Sequence, residues 1–187
     1  MRKIEVVNYR ETWDDAFRLE ARALQDCIGF LKPAIHHIGS TSVRGLSAKP
    51  VIDILIEIDD LELLEKEATA LATIGYVFRG ENGIPGRLYF EKGGEDRSHQ
   101  IHAFERGSFG ALRHLAFRDY LRSRPDVANE YAILKKQVAS VCNNDIDRYC
   151  DGKDAFIKKH EKLSLEWYSN DKSMQPGQEK LTPSADG

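Results

Sequence analysis

Between Val51 and Ile58 the even positions are all isoleucine (Ile52, Ile54, Ile56, Ile58), while Asp53, Leu55 and Glu57 occupy the odd positions that follow. That period of two predicts a strand with one wholly apolar face and an opposite face marked by carboxylates. Upstream, Trp13, Ala16, Phe17, Leu19, Leu24 and Ile28 recur at mainly helical spacing. They predict a helix over 12–30 with Thr12 as N-cap and Gly29 near its end. The β-compatible run Ala34–Ile38 leads into Gly39-Ser40-Thr41-Ser42, the pattern of a strand entering a tight turn. After the isoleucine strand, a Leu-, Glu- and Ala-rich stretch predicts one helix over 59–74, ended by Gly75.

Further strands are predicted over 76–79, 87–92 and 97–104, with a loop punctuated by Gly80, Gly83 and Gly86 before the second and a Gly93-Gly94 turn before the third. Alternation sets Leu88 and Phe90 against Arg87, Tyr89 and Glu91, and Ile101 and Ala103 against Gln100 and His102. From Phe109 onward the pattern is helical. Leu115, Phe117, Tyr120 and Leu121 form a core-facing stripe, and Pro125 suits the first turn of a helix running towards Cys142. A last helix is expected over 145–167 with a break near Gly152. The expected organisation is one α+β domain over 1–168 and a disordered tail over 169–187, where Asn, Asp, Lys, Ser, Gln, Pro and Gly dominate. The isoleucine face should pack on helices and leave the opposite face at least partly open.

The chain has 187 residues and a net charge of −3. That balance argues against a protein that coats nucleic acid, which needs a basic excess, yet leaves room for a small anion held by a few local groups. Cys27, Cys142 and Cys150 are odd in number and widely spaced, so they form neither a disulfide framework nor a zinc ribbon. No apolar run approaches the roughly 20 residues of a membrane helix, and the first residues lack a signal-peptide pattern. A cytoplasmic protein without a membrane partner is expected.

The chemistry concentrates in residues 37–58. Gly39 permits close backbone approach, Ser40, Thr41 and Ser42 offer hydroxyls, and successive N–H groups of such a turn form an anion nest. Asp53 follows on the polar face of the next strand, and a carboxylate opposite a phosphate-cradling turn suits magnesium-assisted phosphoryl or nucleotidyl transfer. His99 and His102 lie on opposite faces of their strand, since an offset of three is odd. His102 therefore joins Asp53, as a second ligand, a proton carrier or a hydrogen-bonded structural histidine, and His99 anchors a loop or strand end. His37 either orients the Gly-Ser turn or packs. Lys49 is placed to meet a phosphate at the entry to the Asp53 strand, or else is solvated. Arg87 matches phosphate bidentately, with a salt bridge to Glu91 as the alternative. His114 and His160 show no partner.

Residues 37–58, GYVFRGENGIPGRLYFEKG (75–93), RSHQIHAFERGS (97–108), RHLAFRDYLRSRPDVANEYAILKK (113–136) and GKDAFI (152–157) together resemble the GrpB-like family over residues 4–161. The resemblance implies a fold similar to the nucleotidyltransferase superfamily that includes DNA polymerase beta, and relatives fused to dephospho-coenzyme A kinase. That superfamily carries a Gly-Ser turn, then Asp-x-Asp or Asp-x-Glu on the next strand, then a carboxylate on a later strand. Gly39-Ser40 and Asp53 match, Leu55 stands at the second acidic position, and His102 is the candidate for the third. Glu57 faces the same way as Asp53 but lies about 13 Å along the strand at roughly 3.3 Å per residue, so it does not replace position 55. Arg44 and Gln100 stand where the family commonly has proline and histidine.

The expectation is therefore a nucleotidyltransferase-like mixed sheet flanked by helices, acting on a nucleotide or phosphorylated small molecule with magnesium or another divalent cation. Asp53 and His102 are the expected catalytic and metal-binding residues. Gly39, Ser40, Thr41, Ser42, Lys49 and Arg87 are the expected phosphate-binding residues. The alternatives are a non-catalytic nucleotide- or phosphate-binding accessory protein and a protein-partner module linked to coenzyme A metabolism.

Overall fold

The isoleucine strand lies inside the sheet. In the computed structural model, which describes residues 4–173, β1 (Ala34–Ile38) pairs antiparallel with β2 (Ile52–Ile58). On its other side β2 runs parallel to β5 (His99–Glu105), and β4 (Leu88–Lys92) and β3 (Tyr76–Phe78) continue the sheet antiparallel, giving the order β1-β2-β5-β4-β3. A parallel pair needs a long crossover. Here it contains β3, β4 and two short helices, α2 (Leu61–Lys66) and α3 (Ala68–Thr73).

Ile52, Ile54, Ile56 and Ile58 are all buried, against Leu24 and Ile28 of α1 (Thr12–Ile28), Leu64 of α2 and Leu71 of α3. Alternation thus sends one face of β2 into the main core, as its period requires. The opposite face is half covered. Ile38, Leu55 and Phe104 form a second buried cluster with Ala111 of α4 (Phe109–Ser123), and the sheet stays accessible near Asp53. The helical stripe packs as expected: Tyr120 and Leu121 join Ala128, Tyr131 and Ala132 of α5 (Pro125–Val141) over Val43 and Leu46.

Several boundaries differ from the sequence expectation. Glu11, not Thr12, is the N-cap residue of α1 and makes no side-chain cap. The helix expected over 59–74 is broken at Glu67, so that α2 packs on β5 while α3 turns onto β3 and α1. Its cap is Asp60, whose carboxylate accepts from the Glu62 and Leu63 N–H groups. The expected break near Gly152 is absent, and α6 (Ile146–Ser173) runs through it. A Cβ on Gly152 would lie 2.6 Å from Val138 Cγ1, so this glycine lets α6 approach α5 closely. The expected tail overlaps α6 as far as Ser173, and its remainder lies outside the described residues.

Candidate functional site

The site begins where β1 ends. Gly39 adopts φ +68°, the left-handed region that glycine tolerates, and the chain enters a 3-10 turn over Ser40–Ser42. Because Ile38 lies beside Asp53 in the sheet register, the turn is brought against that carboxylate. A Cβ on Gly39 would sit 2.4 Å from Asp53 Oδ2 and 2.9 Å from Asp53 Cβ. Close approach is therefore required here, and the neighbour is Asp53 itself.

A cleft of about 240 Å³ opens at this junction. Gly39, Ser40, Thr41, Lys49 and Asp53 line it, together with Gln100, the residue beside Asp53 in the parallel register. The hydroxyls of the turn are not equivalent. Ser42 Oγ donates to the Gly39 carbonyl over 2.6 Å and does not line the cleft. Thr41 Oγ1 lies 3.0 Å from His37 Nε2. The His37 ring is stacked on Phe17, with Nδ1 3.5 Å from Asp14 Oδ1. Burial above all, opposed mainly by Asp14 and Asp53, pushes this imidazole down to about 4, so a neutral His37 braces the turn. Ser40 Oγ is left facing the cleft.

Asp53 and His102 do meet on one face, with His102 Nε2 3.7 Å from Asp53 Oδ1. The other ring nitrogen decides the role of the pair. Arg87 Nη1 lies 3.2 Å from His102 Nδ1, and a guanidinium only donates. Nδ1 is therefore the acceptor, and the proton of the neutral ring sits on Nε2, facing Asp53. A direct metal bond from Nε2 requires the opposite tautomer, so in this arrangement His102 serves the carboxylate. Among the described residues no group of three or more His, Cys, Asp or Glu side chains is arranged to hold a metal ion.

Arg87 itself is buried. Nε donates to the Glu81 carbonyl over 3.1 Å and Nη2 to the Asn82 carbonyl over 2.7 Å, while the guanidinium lies over the Tyr89 ring. It clamps the glycine loop and the His102 ring and does not line the cleft. The alternative pair with Glu91 is not made, because Glu91 is taken by Arg79 and Arg97. Glu57 is committed at the far end of β2, 3.0 Å from His36 Nε2 and accepting from the Gly107 N–H over 3.1 Å. Leu55 is fully buried beneath α4. His99 lies on the other face, bonded to Ser98 Oγ and 3.8 Å from Glu20 Oε2, so it ties the strand end to α1.

Three cleft residues escape a reading of local motifs. Lys135 is 2% exposed and donates to Ser40 Oγ over 2.7 Å, with its ammonium 4.4 Å from the Tyr131 ring centre. Burial, reinforced by Lys153 and Lys49 and opposed by Asp53, pushes that ammonium down to about 7. Lys153 lines the same cleft, 4.1 Å from the Tyr149 ring centre, and Lys49 faces the same ring at 5.0 Å. Burial likewise lowers the Lys153 ammonium. The third is His114 of α4, whose ring is 5.2 Å from that of His102 and whose buried Nε2 has no hydrogen-bond partner among the described residues. Burial above all, with Arg113 and Arg87 adding to it, pushes it down to about 3. A signal for Lys135 exists in the sequence: Ala128, Tyr131, Ala132 and Lys135 follow i, i+3, i+4, i+7, which sets a lysine on the apolar face of a helix.

The family model described as GrpB protein matches residues 3–163. The chain is 45% identical over 166 residues to the UPF0157 protein YqkA of Bacillus subtilis, a match covering 89% of this chain and 48% of YqkA. It thus spans about half the length of that relative. The crystal structure of the conserved protein GrpB from Enterococcus faecalis superposes with a TM-score of 0.84 at 41% identity, covering 88% of this chain and 99% of that one. The Cid1 poly(U) polymerase overlaps more weakly, with a TM-score of 0.48 at 11% identity over 71% of this chain and 46% of Cid1.

Proposed function

The chain belongs to the GrpB family, and on that footing we propose that its cleft binds a nucleotide or another phosphorylated small molecule and transfers a nucleotidyl or phosphoryl group with a divalent cation, magnesium foremost, at Asp53. The observation that carries this reading is the meeting of the Gly39-Ser40 turn, the Asp53 carboxylate and a buried lysine that donates to Ser40 Oγ over 2.7 Å. Because Lys135 donates, the Ser40 hydroxyl proton is left to point at a ligand. With the Lys49 and Lys153 ammonium groups it would hold phosphate oxygens by charge-assisted hydrogen bonds.

Among the described residues Asp53 is the one carboxylate that lines the cleft. Its donor set suits a hard cation, which would take oxygen from Asp53 and from the phosphates and offset charge on the phosphoryl oxygens. His102 is a positioning residue in this scheme. Its Nε2–H faces the carboxylate, and Arg87 holds the ring in that tautomer.

Leu55 favours a second reading, an accessory protein that holds the phosphorylated ligand without turning it over, since the second acidic position is apolar and sealed. Calorimetric titration with a panel of nucleotides and coenzyme A precursors, with and without magnesium, separates the two once product formation is followed in parallel. Asp53→Asn is expected to remove metal-dependent ligand binding and any turnover, and His102→Gln to impair turnover more than binding. Normal metal and ligand binding by Asp53→Asn would remove the centre of the enzyme reading.

A further inference from the structure

Two positive groups in the cleft lack an acidic partner. Among the described residues neither Lys135 nor Lys153 makes an ion pair with a carboxylate. Lys135 has Ser40 Oγ and the Tyr131 ring, and Lys153 has the Tyr149 ring. Holding an ammonium out of water without a counter-charge is costly, and such a group is retained where something else supplies the negative charge. Among the residues that line the cleft, Asp53 is the one carboxylate available to Lys135 and Lys153, and Arg118 is paired with Asp119 over 2.7 Å. The ammonium groups fall in two places, one at Ser40 over Tyr131 and a pair about Tyr149. Two positive positions in one cleft suit a ligand with two anionic groups.

The acidic side of the site is correspondingly depleted. A two-ion centre needs carboxylates that hold cations about 3.5–4 Å apart. The position that would supply the second is Leu55, 0% exposed among Ile38, Phe104 and Ala111, and Glu57 is bound to His36 and the Gly107 N–H. The residues do not fit a second ion.

We propose that Lys135, supported by Lys49 and Lys153, supplies the positive charge that a second divalent cation would otherwise supply, so that this cleft binds a ligand with two or more linked phosphates in the absence of metal. The inference rests on the phosphate-cleft reading above and deepens it, because it names the ligand class and the group that takes its charge.

The test is calorimetric titration of the full chain with inorganic orthophosphate, pyrophosphate and tripolyphosphate, in EDTA and again with excess magnesium. The linked phosphates are expected to bind in EDTA at least about tenfold more tightly than orthophosphate, with magnesium strengthening that binding but not required for it. Lys135→Met is expected to weaken pyrophosphate binding in EDTA by about tenfold or more, while Lys136→Met, an exposed neighbour bonded to Asn8, leaves it unchanged. Equal losses in both variants would overturn the inference in favour of diffuse surface charge. Binding that appears only with magnesium would overturn it while the phosphate cleft stands. Silence under both conditions would overturn the cleft reading as well.

Discussion

Replacing Lys135 with methionine removes a charge from the interior while nearly keeping the side-chain length, and the consequence is a change in how stability depends on pH. In the folded chain the Lys135 ammonium is lowered from 10.5 to about 7 by burial, then by Lys153 and Lys49, with Asp53 opposing. The unfolded chain therefore binds more protons than the folded one between about pH 7 and pH 10.5, and stability rises with pH across that window. Below the folded value the cost of the buried charge is fully present, and above the unfolded value it is gone. A 3.5-unit depression corresponds to about 5 kcal/mol in total at 1.36 kcal/mol per unit, of which about 2 kcal/mol falls between pH 7 and pH 9. Urea unfolding at pH 7, 8 and 9 should show this rise in the unmodified protein and a rise smaller by about 2 kcal/mol in Lys135→Met. Lys153 titrates in the same direction, so the difference between the two proteins is the quantity to read. Methionine should also match or exceed the native stability at pH 7, because only a hydrogen bond worth about 1 kcal/mol is lost. Identical pH slopes, or a variant weakened by more than that bond at pH 7, would refute the account of Lys135 as an unpaired buried cation.

Three further outcomes follow from the packing. Gly39→Val should fold with stability reduced by about 1–3 kcal/mol, from the positive φ and the clash with Asp53, and should lose phosphate binding; unaltered affinity in the folded variant would count against the turn. Ile54→Ala should cost about 2–5 kcal/mol in urea unfolding, since the side chain is fully buried in the main core. Gly152→Ala tests α6 by sign: helix propensity alone would stabilise by about 1 kcal/mol, whereas the 2.6 Å contact with Val138 should reverse it. The double variant with Val138→Ala should recover part of that loss.

The fold was legible where a local period carried it. The isoleucine alternation located β2 and its buried face, Ala34–Ile38 was found with its bounds intact, and the register of β2 against β5 then brought Asp53 and His102 to one face. Position within a sheet was less legible, because alternation names a face and not what covers it. Leu55 lies on the face expected to be open and is sealed by α4, a helix that begins more than 50 residues later. The break at Glu67 had no composition signal, since its flanking residues are good helix formers and the turn answers to two different packing partners. Arg87 shows the same limit for side chains. Its face was read correctly, yet its hydrogen-bond partners are carbonyls of the loop over 81–82, which no spacing rule identifies.

The proposed phosphate side of the cleft depends on the helical half of the chain. Ser40 and Lys135 are 95 residues apart, and their 2.7 Å contact exists only once α5 has docked on the turn. The docking surface is apolar, with Tyr131, Ala128 and Ala132 packed on Val43 and Leu46 immediately after the turn. Burial of that surface supplies the driving force that carries Lys135 out of water. A helix face that was apolar throughout would pack better and bind no anion; one that was charged throughout would not pack. The single lysine in the i+7 position of an otherwise apolar stripe satisfies both demands, and under the proposed function it ties phosphate binding at Ser40 to the placement of the helical half. A ligand that neutralises Lys135 should therefore tighten the α5–turn contact. Amide exchange in Ser40–Ser42 and along α5 should slow together when pyrophosphate binds, and slowing confined to the turn would show that the ligand is held without the helix.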